Sequence, residues 1–295
     1  MTATTDAPPS RAPEGRRDGS PTFAAAAVVV AAIAFVLAVL GVVRSGGGGS
    51  SSRPGADDTA PVGTPVDLDD GAVADPSADA AAVTESAAAA MAEVSSVEFS
   101  VACEGAPVHI DEFERIALTG LRGQFVVPGR AQAELAVTID GDLRTRLGAV
   151  AVGTEIWLSN PVTGEFETLP EGYVIDPSRF FDPKGGWRPL LAGLQDLTLV
   201  GIDDRGGERY HVRGTATSQQ MSDVTAGLVD DQDVVVDLWI HPTTSLVTAA
   251  GFDTTTAAGT TSWSLELGRY GDTFRIDPPE GVDLPAVDAP SPTGA

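Results

Sequence analysis

The chain has 295 residues, with 42 acidic against 18 basic side chains, a net charge of −24 and a mean hydropathy of +0.06. That length allows one or two domains. So acidic a chain has no cationic stripe to neutralise phosphates, which argues against nucleic acid as a partner. Its single cysteine excludes an internal disulfide or a cysteine-rich metal site.

Residues 1–21 hold Arg11, Arg16 and Arg17 and precede an uncharged apolar run, 22–43. As a helix that run reaches about 33 Å, enough to cross a bilayer core. It exceeds the usual apolar core of a cleaved leader, so a retained transmembrane helix is expected. The arginines before it place the N-terminus in the cytoplasm and the bulk of the chain outside. Residues 44–74 begin with a Gly/Ser run and continue in Pro, Asp and Thr, the composition of a flexible linker.

A folded domain is expected over 75–281. Asp75-Pro76 is a helix-start signal. Val83, Ala87, Ala90, Met91 and Val94 then follow helical spacing, which predicts a helix over 76–95. The period next changes to two. Val97, Phe99, Val101 and Cys103 alternate with polar neighbours, as do Leu135, Val137 and Ile139, and Trp263, Leu265 and Leu267. Each is a half-buried strand. Further strands are expected near 115–127, 144–152, 154–159, 197–204, 208–215, 234–240 and 246–255, separated by short turns. Two helical insertions interrupt them. One, 176–196, contains Phe180, Phe181, Trp187, Leu190, Leu191 and Leu194; the other, 218–229, contains Met221, Val224 and Leu228. The architecture is α+β, a large antiparallel sheet packed on a few amphipathic helices. Residues 282–295, rich in Pro, Ala and Asp, read as a disordered tail.

Catalytic patterns are thin. The sequence has no G-x-S-x-G, no H-E-x-x-H and no dinucleotide fingerprint, so neither an enzyme nor a cofactor is expected. His211 alternates with Tyr210 and Val212 and reads as a solvent-face residue, with Arg209 and Arg213 beside it. His241, before Pro242, reads as a turn residue. Cys103 falls on an apolar strand face, where a small buried hydrophobe is expected. The apolar helix faces leave two readings open: an ordinary filled core, or a cavity where sheet and helices do not close.

Three stretches carry a family resemblance. They are Phe181-Asp182-Pro183 with Gly185-Gly186-Trp187-Arg188-Pro189-Leu190-Leu191; LTLVGIDDRGGERYHVRGT at 197–215; and VVVDLWIHPTTSLV at 234–247, with His241 where an Asp is usual. In that order they resemble the actinobacterial LppX/LprA/LprF/LprG lipoprotein family, whose fold is similar to the LolA/LolB carriers. The resemblance implies a curved half-barrel sheet around helices and an apolar cavity bordered by Met91, Phe180, Phe181, Trp187, Leu190, Leu191, Leu194, Met221, Val224 and Leu228. It further implies binding of acylated lipid or glycolipid and delivery towards the outer envelope; the acid-rich surface disfavours lying on anionic headgroups, so a partner protein for handover is expected. One departure is plain: the family begins with a lipid-modified cysteine, whereas Leu40-Gly41-Val42-Val43-Arg44 ends the apolar run here. Anchoring in the cytoplasmic membrane through 22–43 is expected instead. The rival expectation is a non-enzymatic envelope interaction or structural module with a filled core.

Overall fold

A computed structural model describes residues 64–110, 113–127, 129–153, 155–160, 163–168, 187–225 and 228–280. The expected transmembrane run 22–43, the first insertion up to Gly186 and the tail beyond 280 lie outside these residues. No described helix is long and apolar enough to cross a membrane.

The expected helix forms over a shorter span, α1 at Ala80–Met91. Asp75-Pro76 starts a separate turn, in which Asp75 Oδ1 accepts from the Ser77 amide at 2.8 Å. The helix itself is capped by Asp79, whose carboxylate accepts from the Ala82 amide at 2.9 Å. Ala87, Ala88 and Met91 face the core, and the chain turns at 92–94 into the first strand.

Twelve strands follow. They are β1 Ser96–Gly105, β2 Val108–His109, β3 Ile116–Val126, β4 Arg130–Ile139, β5 Leu143–Val152, β6 Glu155–Ser159, β7 Phe166–Thr168, β8 Gln195–Asp204, β9 Glu208–Ala216, β10 Val234–Ile240, β11 Val247–Thr256 and β12 Gly259–Gly268. The expected strands are all present. Two short ones, β2 and β7, are additional to these, since two or three residues carry no periodicity. The sheet order is β7-β6-β5-β4-β3-β1-β12-β11-β10-β9-β8, all antiparallel, with β2 on β3. Two meanders, β3–β7 and β8–β12, therefore join where β1 meets β12, and the described sheet is open at β7 and β8.

Register explains the two faces. Leu147, Leu135, Leu121, Val101, Leu265, Ala250, Leu238, Val212 and Leu199 stand opposite one another in a row across β5, β4, β3, β1, β12, β11, β10, β9 and β8. One residue further on, the row reads Gly148, Glu134, Arg122, Ser100, Glu266, Ala249, Trp239 and His211. Successive side chains of a strand point to opposite sides, so the strands' alternation builds one apolar face and one largely polar face.

Two further helices join α1 on the apolar face: α2, Trp187–Ala192, between the meanders, and α3, Ser218–Thr225, between β9 and β10. A reciprocal cap starts α3: the Thr217 hydroxyl accepts from the Gln220 amide at 3.3 Å, and Gln220 Oε1 accepts from the Thr217 amide at 2.9 Å. The sequence placed that start one residue later, at Ser218.

Residues 64–74, the end of the segment expected as linker, lie as a strap over the polar face. The Val66 amide donates to the Tyr270 carbonyl at 2.9 Å and the Ala74 amide to Glu208 Oε2 at 2.7 Å. Tyr210 Oη accepts from the Asp75 amide at 3.0 Å.

Candidate functional site

The candidate site is the layer between the helices and the apolar face of the sheet. Met91 comes from α1, Leu190 and Leu191 from α2, Leu194 from the turn after it, and Met221 and Val224 from α3. All six are buried in one continuous apolar cluster with the sheet's inner row, and Leu228 packs half-buried against it. Residues separated by up to 137 positions are thus gathered into one apolar layer. Phe180 and Phe181 lie outside the described residues. Trp187 opens α2, and its side chain is likewise outside the description.

Within this layer Leu191 is 1% exposed and Met91 0%. Polar atoms inside it are few and paired within the chain. Thr225 Oγ1 donates to the Met221 carbonyl at 2.7 Å and accepts from the Val229 amide at 2.9 Å. The buried Tyr270 hydroxyl donates to the Val247 carbonyl and sits 3.7 Å from Met91 Sδ. Burial raises the Tyr270 pKa well above the ordinary phenol value, so it stays a neutral donor. Cys103 is half-buried beside Trp263, and desolvation pushes its thiol up to about 12. It is a protonated thiol of low reactivity rather than a nucleophile. Among the described residues no group of three His, Cys, Asp or Glu side chains is placed to hold a metal.

The histidines sit on the polar face. His211 is more covered than a plain solvent-face residue: it stacks on Trp239 at 4.7 Å between ring centres and reaches Asp237 Oδ1 at 2.7 Å and Asp203 Oδ2 at 3.2 Å. His241 is the expected turn residue, but fully buried. Its Nδ1 accepts from the Thr243 and Thr244 amides at 3.3 and 3.2 Å, which puts the ring proton on Nε2, 3.4 Å from Asp70 Oδ1 on the strap. Arg209, read from the sequence as a neighbour of solvent-face His211, is covered by the strap. Alternation gave its face correctly; a covering segment 141 residues away leaves no periodic trace.

Two hollows open on the side away from the helices. One, about 750 Å³, is lined by Glu98, Ser100, Arg122, Gln124, Gln132 and Glu134 among others. The other, about 470 Å³, lies between the strap and the sheet. Neither is lined by the ten residues expected around an apolar cavity.

The described domain is an open antiparallel sheet with short helices laid on its apolar face. The LppX_LprAFG lipoprotein family model matches residues 79–276, and the chain belongs to that family. Among solved structures the fold is similar to LprF from Mycobacterium bovis, at 16% identity and TM-score 0.55 over 69% of this chain and 98% of that one. Looser superpositions are found with lipoprotein LppX from Mycobacterium tuberculosis (16% identity, 67% of this chain, 97% of that one, TM-score 0.49). A LolA superfamily protein from Nitrosomonas europaea is looser still (13% identity, 68% and 96%, TM-score 0.25). No curated protein matches the chain by sequence.

Proposed function

We propose that this chain is a membrane-tethered, extracytoplasmic lipid-binding protein that takes acyl chains of a lipid or glycolipid between its helices and the apolar face of its sheet. The observation that carries the reading is the composition of that layer. Three short helices, each entering from a separate connection, meet one apolar row that spans nine strands. Helices of six and eight residues are held by packing rather than by their own stability. Moving them off the sheet exposes apolar surface that an acyl chain covers again.

The energetics favour such an exchange. A sixteen-carbon chain passing from bilayer to water costs on the order of 12 kcal/mol at about 0.8 kcal/mol per methylene. Leu, Val and Met walls offset most of that without any bond being made or broken, so no catalytic group is required. On this reading residues 22–43 hold the domain near the cytoplasmic membrane, the N-terminus is cytoplasmic, and lipid passes outward to a partner protein in the envelope.

The burial of Leu191, Met91 and Met221 favours the rival, a structural module whose layer stays filled. Lipid co-purification separates the two. The full chain, purified and extracted into organic solvent, is expected to release lipid detectable by mass spectrometry and afterwards to bind a fluorescent fatty acid. An empty extract together with no probe binding would sink the carrier reading. Leu194→Trp fills the layer between α2 and β8; it should weaken probe binding while the far-ultraviolet circular dichroism stays native.

A further inference from the structure

The cleft beneath the strap contains two guanidinium groups that form no ion pair with a described carboxylate. Arg209 is 3% exposed, and its partners are backbone carbonyls: Nη1 donates to Glu208 O at 2.8 Å, and Nη2 to Leu68 O at 2.8 Å and Gly206 O at 3.3 Å. Its Nε–H is buried with no acceptor. Arg205 lies with its guanidinium carbon over the Trp239 ring, 3.8 Å from the ring centre. No carboxylate of the described residues forms an ion pair with either, in a chain that carries 42 acids. Two carboxylates on that face are engaged elsewhere: Asp203 accepts from Trp239 Nε1 at 2.8 Å, and Asp237 holds His211 and Arg213. A buried cation without a counter-charge is costly unless an anion completes it.

The same cleft also carries acids. Asp67 and Asp69 come from the strap and Glu266 from β12. None of the three forms an ion pair with a described residue, whereas the third arginine of the cleft, Arg269, is neutralised by Asp272 at 2.7 Å and Glu98 at 3.1 Å. A simple anion would be repelled by these acids and a simple cation by the arginines. A group carrying both charges is complementary to the whole cleft.

We propose that the strap cleft binds a phosphate ester that bears an amine, of the phosphoethanolamine type, with the phosphoryl oxygens on Arg205 and Arg209 and the ammonium towards Asp67, Asp69 and Glu266. Planar guanidinium groups match phosphate oxygens in geometry as well as charge. A cleft of about 470 Å³ has room for such a group. The same chemistry occurs in a free phosphoethanolamine and in the head of a phospholipid. The site lies across the sheet from the apolar layer, so it stands apart from the acyl-binding reading.

Calorimetry on the full chain in detergent tests this, with O-phosphoethanolamine as the free monoester and glycerophosphoethanolamine as the phospholipid head. Inorganic phosphate and ethanolamine supply one charge each. Saturable binding of one or both esters is expected, with each single-charge arm weaker by about tenfold or more. Tighter binding of the diester assigns the site to a lipid head, and tighter binding of the monoester to a free metabolite. Arg205 and Glu266 are exposed, so Arg205→Ala and Glu266→Gln should fold normally yet each weaken binding by about tenfold. No saturable heat at about 10 mM ester, phosphate alone binding as well as the esters, or a folded Arg205→Ala with unchanged binding would each overturn the proposal. A fluorescent fatty acid added to the same samples reads the apolar layer separately.

Discussion

Gly123 stands opposite Phe99 on the apolar face, in the row Leu158, Ala149, Ala133, Gly123, Phe99, Leu267. A Cβ there would lie 2.6 Å from Phe99 Cζ and closer still to the Gln132 carbonyl oxygen. The ring occupies the space that any side chain would need. Gly123→Ala should therefore destabilise the domain by about 1–3 kcal/mol, read from urea unfolding. His241 makes stability depend on pH. Burial lowers its pKa first and the neighbouring Arg209 lowers it further, against the opposing pull of Asp70. With the folded-state pKa below the ordinary imidazole value of about 6.5, the unfolded chain takes up the proton more readily. Stability from this group is then complete above about pH 6.5 and is lost as pH falls below it towards the folded-state pKa. His241→Asn keeps an acceptor for the Thr243 and Thr244 amides and should flatten the unfolding midpoint across that window; an unchanged slope would place the dependence elsewhere.

Helix α1 depends on its ends and on the sheet beneath it. Its interior is largely alanine, a strong helix former, but 12 residues remain marginal in isolation. The Asp79 cap satisfies an amide that the first turn leaves unpaired. Asp79→Ala should lower stability by about 1 kcal/mol, measured by chemical unfolding monitored at the helix signal. Asp75→Ala, which removes the preceding turn's exposed bonds from the Ser77 amide and hydroxyl and no bond of the helix, should cost less in the same assay. The contrast decides which of the two acids starts the helix.

Charge acts over the whole molecule. The ion pairs on the polar face, such as Arg115–Asp140 and Arg122–Glu134, are exposed and contribute little. An excess of 24 negative charges repels itself in the compact state. Raising sodium chloride from about 20 mM to about 500 mM shortens the screening length to a few ångströms. The thermal midpoint should rise by several degrees over that range. A fall would mean that specific ion pairs outweigh the general repulsion.

The strands of this fold were legible because half-burial writes itself into alternation: Val97, Phe99 and Val101, or Trp263, Leu265 and Leu267, can satisfy one core face in only one register. The apolar residues of α1, α2 and α3 were legible for the same reason at helical spacing, and burial of Met91, Leu190, Leu191, Leu194, Met221 and Val224 follows from it. Pairing over long sequence distances was not legible. That β1 meets β12, joining two meanders, depends on contacts between residues more than 150 positions apart, which local pattern does not record. The strap shows the same limit in smaller form. Residues 64–74 have the Pro, Asp and Gly composition of a linker, and only the tertiary structure lays them across Arg209 and His241. Their order comes from bonds to distant strands, so the sequence by itself determined which faces are apolar, while the folded chain decided what covers each face.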